Sequence, residues 1–350
     1  MSDTTADSAQ DALRAAIRRL AHGEPLSADD VAEAFGVVMR GEATPAQVAG
    51  LLMALRIKGE SADEVAGAAR ALREAMIPLA AERPEELVDT CGTGGGSITT
   101  FNISTAAALL AAGAGVRVAK HGNRSFTSRS GSADVLEALG VRIDAPLAVM
   151  ERALGEAGIV FMYAPLMHPA MKHVGPVRRE LGVPTVMNIV GPLANPARAG
   201  RQVVGVAEAR RGPLIAGALA ALGSVHALVV HGEPGLDEVS PLGVTHVLEV
   251  RGGAVREWTI DPAEYGLRAA SAEELAGGDP EDNARVVLSV LRGTSSDGAR
   301  AAVVLNAAAA LYVAGRVASY GDAVVEAVNA LEAGAGMAAL ERLRKAYATP

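Results

Sequence analysis

The chain predicts an α/β protein: a small N-terminal helical domain, then a large α/β domain with a mostly parallel central sheet. Three observations carry this reading. Before Pro84 the apolar residues recur only at helical spacing. From Leu87 onward, short apolar runs alternate with helical stretches, the pattern of a parallel sheet covered by helices on both faces. The 350 residues, 50% hydrophobic and 21% charged, suffice for one large domain plus a smaller one.

The first helix carries Leu13, Ile17 and Leu20, with Gly23 as its stop. Ser27 caps a second, bearing Val31, Phe35 and Val38 and ending near Gly41. Thr44-Pro45-Ala46-Gln47 is a capping box with proline at the first helical position, and it launches Val48, Leu51, Leu52 and Leu55 on one face. Ser61-Ala62-Asp63-Glu64 is another box, leading to Val65, Ala68, Leu72 and Met76. Leu87 and Val88 then lead as a short strand into a glycine-rich turn, and Ala106–Ala112 reads as an apolar helix capped by Asn102 or Ser104. Further strands are expected at Val116–Ala119, Ile159–Tyr163, Val203–Val206, Ala227–Val230 and Thr245–Val250, with helices at Ala133–Leu139 and Leu214–Leu222. The Pro, Ala and Gly-rich stretch Leu193–Gly200 reads as a connection or hinge. The last hundred or so residues read as chiefly helical, Asn306 interrupting an otherwise apolar run.

Bulk properties exclude several classes. A formal net charge of -8 argues against a nucleic-acid binder that works through a basic surface. No segment is long and apolar enough to span a bilayer, and Met1-Ser2-Asp3 does not begin a signal peptide, so no membrane association is expected. The single cysteine, Cys91, excludes an intrachain disulfide and a cysteine zinc site, and points to the cytoplasm. Beside the glycine loop it reads as a small buried residue rather than a nucleophile.

Chemistry concentrates in four clusters. The first runs from Asp89 to Thr105, with Gly92, Gly94, Gly95 and Gly96 in the turn. Strand, glycine turn and helix N-terminus form a phosphate-binding geometry: glycines let backbone N–H groups approach an anion, and the helix end adds partial positive charge. Thr93, Thr100, Ser104 and Thr105 add hydroxyls. The run matches neither the Walker pattern nor GxGxxG, since Ser97 replaces the last glycine, and an ordinary strand–helix turn is the plainer alternative.

The second cluster, Lys120–Asp134, starts where a predicted strand ends, so its loop and the glycine loop should face one crevice. Lys120, Arg124 and Arg129 supply charge; Ser128, Ser130 and Ser132 supply donors. Alone it would be a solvated basic loop. The third, His168–Glu180, holds two histidines and Arg178. The fourth holds Asp237 and Glu238 just past a strand end, placed to take a hard cation such as Mg²⁺, although such pairs are common on surfaces.

The ordered set resembles the anthranilate phosphoribosyltransferase family over nearly the whole chain. The resemblance rests on Gly41–Gln47 and Leu51–Glu60, on KHGNR at Lys120–Arg124 with SGSADVLEALG at Ser130–Gly140, and on the long run His168–Ala197. Gly277-Gly278-Asp279, Glu281–Ala284 and Leu305–Ala308 complete it. It implies a fold shared with pyrimidine nucleoside phosphorylases: a helical domain over residues 1–84, joined by an insertion at 178–199, and an α/β phosphoribosyl pyrophosphate-binding domain over 85–350. The active site would lie at the hinge, in a homodimer associating through the helical domains.

The implied reaction transfers phosphoribose from phosphoribosyl pyrophosphate to anthranilate. By motif position, Gly92, Thr93, Gly95, Gly96, Thr100, Asn102, Ile103, Ser104 and Thr105 would hold the phosphoribosyl donor, continued by Lys120, His121, Gly122, Asn123, Arg124, Ser128 and Ser132. Gly92, His121, Asn123, Tyr163, His168 and Arg178 would line the anthranilate path, with Arg178 pairing with the carboxylate. Ser104, Asp237 and Glu238 would meet Mg²⁺. Anthranilate is itself the nucleophile, so no catalytic nucleophile or triad is expected; His121 and Arg178 position. One departure stands out: the family usually has Asp after the GTGG glycines, and here it is Gly96, which bears on how the loop closes. Alternatives are a phosphoribosyltransferase for another aromatic acceptor, a nucleoside phosphorylase, or a non-catalytic nucleic-acid-binding paralogue.

Overall fold

The computed structural model describes residues 3–96, 98–125, 129–269 and 271–348. Four helices open the chain: α1 (Asp3–Ala21), α2 (Ala28–Met39), α3 (Pro45–Lys58) and α4 (Ala62–Glu74). Their starts follow the predicted capping chemistry. Ser27 accepts from the Asp30 N–H, Thr44 from Gln47 and Ser61 from Glu64, and each N3 side chain returns a bond to the cap backbone.

The rest of the chain runs β1 (Val88–Gly92), α5 (Ile103–Gly113), β2 (Val118–Gly122), α6 (Ser132–Ala138), α7 (Leu147–Ala157), β3 (Ile159–Tyr163), α8 (Ala164–Met167) and α9 (Gly175–Leu181). It continues through β4 (Arg201–Gly205), α10 (Gly212–Ala221), β5 (His226–Gly232), β6 (Thr245–Arg251) and β7 (Ala254–Ile260). It closes with α11 (Pro280–Leu291), α12 (Asp297–Val313), α13 (Tyr320–Glu332) and α14 (Ala335–Ala348). The strands form one seven-stranded sheet in the order β3-β2-β1-β4-β5-β6-β7. The first five in that order are parallel; β6 and β7 add an antiparallel edge. Strand order reverses between β1 and β4, so the crevice beyond their carboxyl ends is where such a sheet binds ligands.

Two apolar clusters line the two faces of the sheet. Along β4, Val203 joins one and Val204 the other; along β5, Leu228 and Val230 face one way, Ala227 and Val229 the other. This is the alternation a doubly covered sheet requires. The first cluster packs α5, α7 and α11–α14. The second unites the N-terminal helices with α10 and with Val177, Val186, Ile189 and Leu193 of α9 and the segment after it. No single described helix is long and apolar enough to cross a membrane.

Some elements differ from the sequence reading. The first strand continues through Asp89 and Thr90 to Gly92, and the second is Val118–Gly122, so it contains Lys120 and His121. Polar residues hide both strand ends in the sequence, because a polar side chain buried with a partner carries no apolar signal. β7 is a strand inside the region that reads as chiefly helical. Most of it is exposed, so it lacks an apolar stripe. The Gly252-Gly253 turn before it, with φ of 57° and 80°, is the hairpin signal that marks it.

Candidate active site

The carboxyl ends of the parallel strands bring three of the four clusters together. β1 ends at Gly92, and Thr93 continues the turn by donating its N–H to the Gly205 carbonyl at 2.9 Å. The chain leaving β5 folds back so that Asp237 lies over both strand ends. A Cβ at Gly92 would stand 2.5 Å from Asp237 Oδ2, and one at Gly205 would overlap the Asp237 carbonyl. Glycine is therefore required there by close approach. The Gly94 N–H donates to Asp237 Oδ2 at 2.8 Å, and the Ser104 N–H, in the first turn of α5, donates to Glu238 Oε1 at 3.1 Å. The carboxylates thus rest on the glycine loop and a helix N-terminus, where N–H groups and the dipole favour negative charge.

Lys120 approaches from β2. Its buried Nζ donates to the Thr90 carbonyl at 2.5 Å and reaches Ser104 Oγ at 3.4 Å. Burial lowers its pKa, opposed by Asp89, Cys91 and Glu238. Asp237 and Glu238 keep some contact with solvent yet sit among many protein atoms. Burial raises the pKa of both; Glu238, beside Asp237, is pushed up to about 8 despite Lys120. Among the described residues no group of three or more His, Cys, Asp or Glu side chains has metal-binding geometry. A cation here would draw on two carboxylates and the Ser104 hydroxyl, leaving its other positions for water or substrate oxygens.

A buried clamp lies beneath. Asp89, fully enclosed, accepts from the His121 N–H at 3.2 Å and from Asn195 Nδ2 at 2.8 Å. Asn195 also donates to the Ala119 carbonyl. Burial lifts Asp89 to about 6, against Lys120 and these bonds. Sequence reasoning assigns neither Asp89 nor Asn195 a role. Asp89 stands between the apolar pair Leu87-Val88 and the glycine turn, and that position is the signal that could have found the first.

His121 and His168 face each other with ring centroids 4.9 Å apart. Burial, the neighbouring His168 and Lys120 depress His121 to about 3, and burial depresses His168 to about 4. Both rings are neutral near pH 7. Backbone at Ala194 slightly favours protonated His168, yet neither His168 ring nitrogen meets hydrogen-bond geometry with a described residue, nor does His121 Nε2. Arg178 is half-buried on α9; its backbone is paired within the helix, its guanidinium meets no hydrogen-bond or ion-pair partner among the described residues, and burial lowers its pKa.

The remaining candidates have specific places. Arg124 is paired with Asp134 at 2.7 Å and Glu137 at 2.8 Å, and lies 5.9 Å from the Tyr163 ring centroid. Asn123 Oδ1 accepts from the Arg124 N–H, and its carbonyl accepts from Ser132 Oγ at 3.4 Å. A Cβ at Gly122 would overlap Ser132 Oγ. Asn102 sits at the α5 N-cap position but makes no capping bond; its amide instead links Ser130 and Asn283. Thr100 forms a bridge with Ala276. Ile103 and Thr105 are buried, the Thr105 hydroxyl without a partner among the described residues. Gly95 has a φ of 82°. A Cβ at Gly96 would lie 3.1 Å from the Gly235 carbonyl and 3.6 Å from Asp237 Oδ1. A side chain there would stand directly beside the acidic pair. Ser128 lies outside the described residues. Burial and Asp89 push the Cys91 thiol well up, so it is no thiolate.

Known proteins share this fold. The helical bundle domain of the glycosyl transferase family matches residues 14–76, and the a/b domain of the same family matches residues 84–337. The fold and site thus define a glycosyl transferase with a helical bundle joined to an α/β domain. The anthranilate phosphoribosyltransferase of Anaeromyxobacter dehalogenans strain 2CP-C is 51% identical over 338 residues, 97% of this chain and 99% of that protein. That of Rubrobacter xylanophilus is 51% identical over 330 residues, covering 94% and 96%. The crystal structure of the Thermus thermophilus enzyme superposes with a TM-score of 0.89 at 44% identity, covering 95% of this chain and 99% of that one. The Saccharomyces cerevisiae enzyme, in complex with phosphoribosyl pyrophosphate and Mg, superposes at 0.87 with 27% identity over 97% and 98%. The chain belongs to the anthranilate phosphoribosyltransferase family.

Proposed function

We propose that this chain transfers phosphoribose from 5-phosphoribosyl 1-pyrophosphate to the amine of anthranilate, releasing pyrophosphate, as a step of tryptophan biosynthesis. The observation that carries the reading is the placement of Asp237 and Glu238 on the glycine loop and the α5 N-terminus, beside buried Lys120. Backbone N–H groups of the glycine loop, Lys120 and the hydroxyls of Thr93 and Ser104 suit the pyrophosphate, which needs donors and positive charge without bulk.

The donor set fits Mg²⁺. Asp237 and Glu238 are adjacent carboxylates, burial makes both costly to ionise and Asp237 adds to that cost at Glu238, and Ser104 adds an oxygen. Hard cations prefer oxygen ligands, often one or two carboxylates with water and phosphate for the rest. When bound, the ion stabilises negative charge developing on the departing pyrophosphate.

Transfer forms a bond from the anthranilate nitrogen to the ribose anomeric carbon and breaks the bond from that carbon to pyrophosphate. The amine supplies the electron pair and afterwards sheds a proton. The neutral His121–His168 pair is able to accept it or a hydrogen bond; positioning is the role their low basicity favours. Arg178 meets the anthranilate carboxylate, a task suited to a planar guanidinium that has no described carboxylate of its own. Gly96, where the family usually carries Asp, leaves the loop without one carboxylate beside Asp237 and so bears on how the loop closes over the ribose and pyrophosphate.

Arg178→Ala tests the acceptor assignment. The KM for anthranilate should rise at least tenfold while that for phosphoribosyl pyrophosphate stays within about twofold, as loss of a charge-assisted pair worth roughly 1.5–3 kcal/mol implies. Equal effects on both substrates would reject the role.

The domain reading is of one piece with this. Residues 1–84 with the returning segment 178–199 make the helical domain, and 85–350 carry the donor site, so closure between them aligns the substrates. The shared apolar cluster of the N-terminal helices with Val186, Ile189 and Leu193 supports that division. We take the chain to be cytoplasmic, in keeping with its lone unpaired cysteine, and to be a homodimer through the helical domains. Ile57 on α3, 79% exposed, supports an apolar contact there. Equilibrium sedimentation should give twice the 35.6 kDa chain mass; a monomer mass at micromolar protein would reject the dimer.

A further inference from the structure

Within the buried face of α12, from Gly298 to Val313, Asn306 is the one polar side chain among alanine, valine and leucine. It is 3% exposed. A primary amide in such surroundings is costly unless its hydrogen bonds are made. Asn306 makes three, each 2.9 Å long. Its Oδ1 accepts from the Val239 N–H, and its Nδ2 donates to the Val239 carbonyl and to the Ala302 carbonyl one turn back. Two of the three go to both backbone groups of a single residue, as a neighbouring strand would. That residue immediately follows Glu238.

The rest of the segment is held at its other end. Leu236 exchanges backbone bonds with Gly232, at 2.9 and 2.7 Å. Beyond Val239, the Ser240 N–H donates to Thr245 Oγ1 and its hydroxyl to the Glu233 carbonyl. Asp237 and Glu238 are therefore the two residues between fixed points, and Asn306 supplies the fixed point adjacent to Glu238. Thr90, Ser104, Glu238 and Asn306 also border one small cavity beneath the acidic pair.

We propose that Asn306 is a positioning residue for the donor site: it fixes the backbone at Val239 so that Asp237 meets the glycine loop and Glu238 the α5 N-terminus before substrate arrives. It touches neither substrate. Its contribution is preorganisation, which lowers the ordering cost of binding. The inference rests on the reading of Asp237 and Glu238 as part of the phosphoribosyl pyrophosphate site.

Calorimetric titration with phosphoribosyl pyrophosphate in the presence of Mg²⁺ and absence of anthranilate tests it without turnover. Three proteins are compared: wild type, Asn306→Leu, and Tyr320→Phe. The last removes a buried hydrogen bond to the same helix, from Tyr320 to the Leu305 carbonyl, that does not touch the acidic segment. Wild-type binding tests the underlying reading by itself; if wild type does not bind, that reading fails and this inference falls with it. Given wild-type binding, Asn306→Leu should weaken it at least tenfold while its KM for anthranilate stays within twofold, and Tyr320→Phe should bind within twofold of wild type. Unchanged binding in Asn306→Leu, or an equal loss in Tyr320→Phe, overturns the positioning role. Should Asn306→Leu fail to fold, Asn306→Asp keeps the shape and the acceptor but cannot donate to the Val239 carbonyl, and the same tenfold criterion applies to it.

Discussion

At the scale of single residues, the candidate site places charge where water has largely been excluded. Lys120 is buried against Thr90 and Ser104, and the carboxylates of Asp89 and Glu238 are its nearby counter-charges. The histidines show the same physics: burial lowers their pKa as it lowers that of Lys120. His168, held neutral by burial with a pKa of about 4, would take up a proton near pH 6.5 once unfolded. Between those values the unfolded state binds more protons than the folded one. Stability is therefore full above about 6.5 and falls as pH drops towards 4, by up to about 1.4 kcal/mol per pH unit for one such group. Urea unfolding of wild type and His168→Asn across that range should show a shallower slope in the variant; parallel curves would mean that His168 is not held neutral. Lys120, His121, His168, Asp237 and Glu238 are all legible in the sequence as members of motif clusters. What the sequence does not display is pairing across the sheet: Asp89 binds the backbone of the adjacent strand and Asn195 from over a hundred residues away, and no local spacing reveals such a contact.

At the scale of elements, the N-terminal helices are the most readable part, because capping is a local code. Ser61 and Glu64 close a reciprocal box at the start of α4, and Glu64 does more than the box requires. Its buried carboxylate also accepts from Lys58 Nζ at 2.9 Å and from the Leu26 N–H at 3.0 Å. Burial opposes its ionisation, but these donors win, and its pKa lies below the usual range. Its stabilisation is thus present above the ordinary carboxylate pKa and is lost as pH falls through the lowered one. Ser61→Ala should cost about 1 kcal/mol, typical of a lost cap. Glu64→Ala should cost about 3 kcal/mol or more, since it leaves a largely buried ammonium without its counter-charge and the buried Leu26 N–H without an acceptor. Equal costs in denaturant titrations would show that the cap alone matters. Strand ends are harder to place. β1 carries Asp89 and Thr90 and β2 carries Lys120 and His121 before each ends in glycine, and these buried polar residues mask the apolar signal. β7 is an edge whose exposed side chains leave no stripe; only its glycine turn marks it.

For the whole molecule, the sheet's reversal of strand order between β1 and β4 determines where chemistry can occur. The glycine loop leaves β1 there, and the acidic segment returns over both strands. The same sheet presents its other face to a cluster shared by the N-terminal helices, Ala170, Val174, Val177 and the segment after α9, so His168 and Arg178, proposed for the acceptor, lie on a stretch of chain packed against the helical layer. The fold class is legible in the sequence from alternating strands and helices, and the candidate site is proposed there from polar loops at strand ends. On this reading the parts form a working phosphoribosyl transfer site despite Gly96. Anthranilate fluorescence, followed with purified protein, phosphoribosyl pyrophosphate and Mg²⁺, with and without EDTA, probes that directly. A steady loss of fluorescence that EDTA abolishes is the expected result; unchanged fluorescence with both substrates and Mg²⁺ present would contradict it.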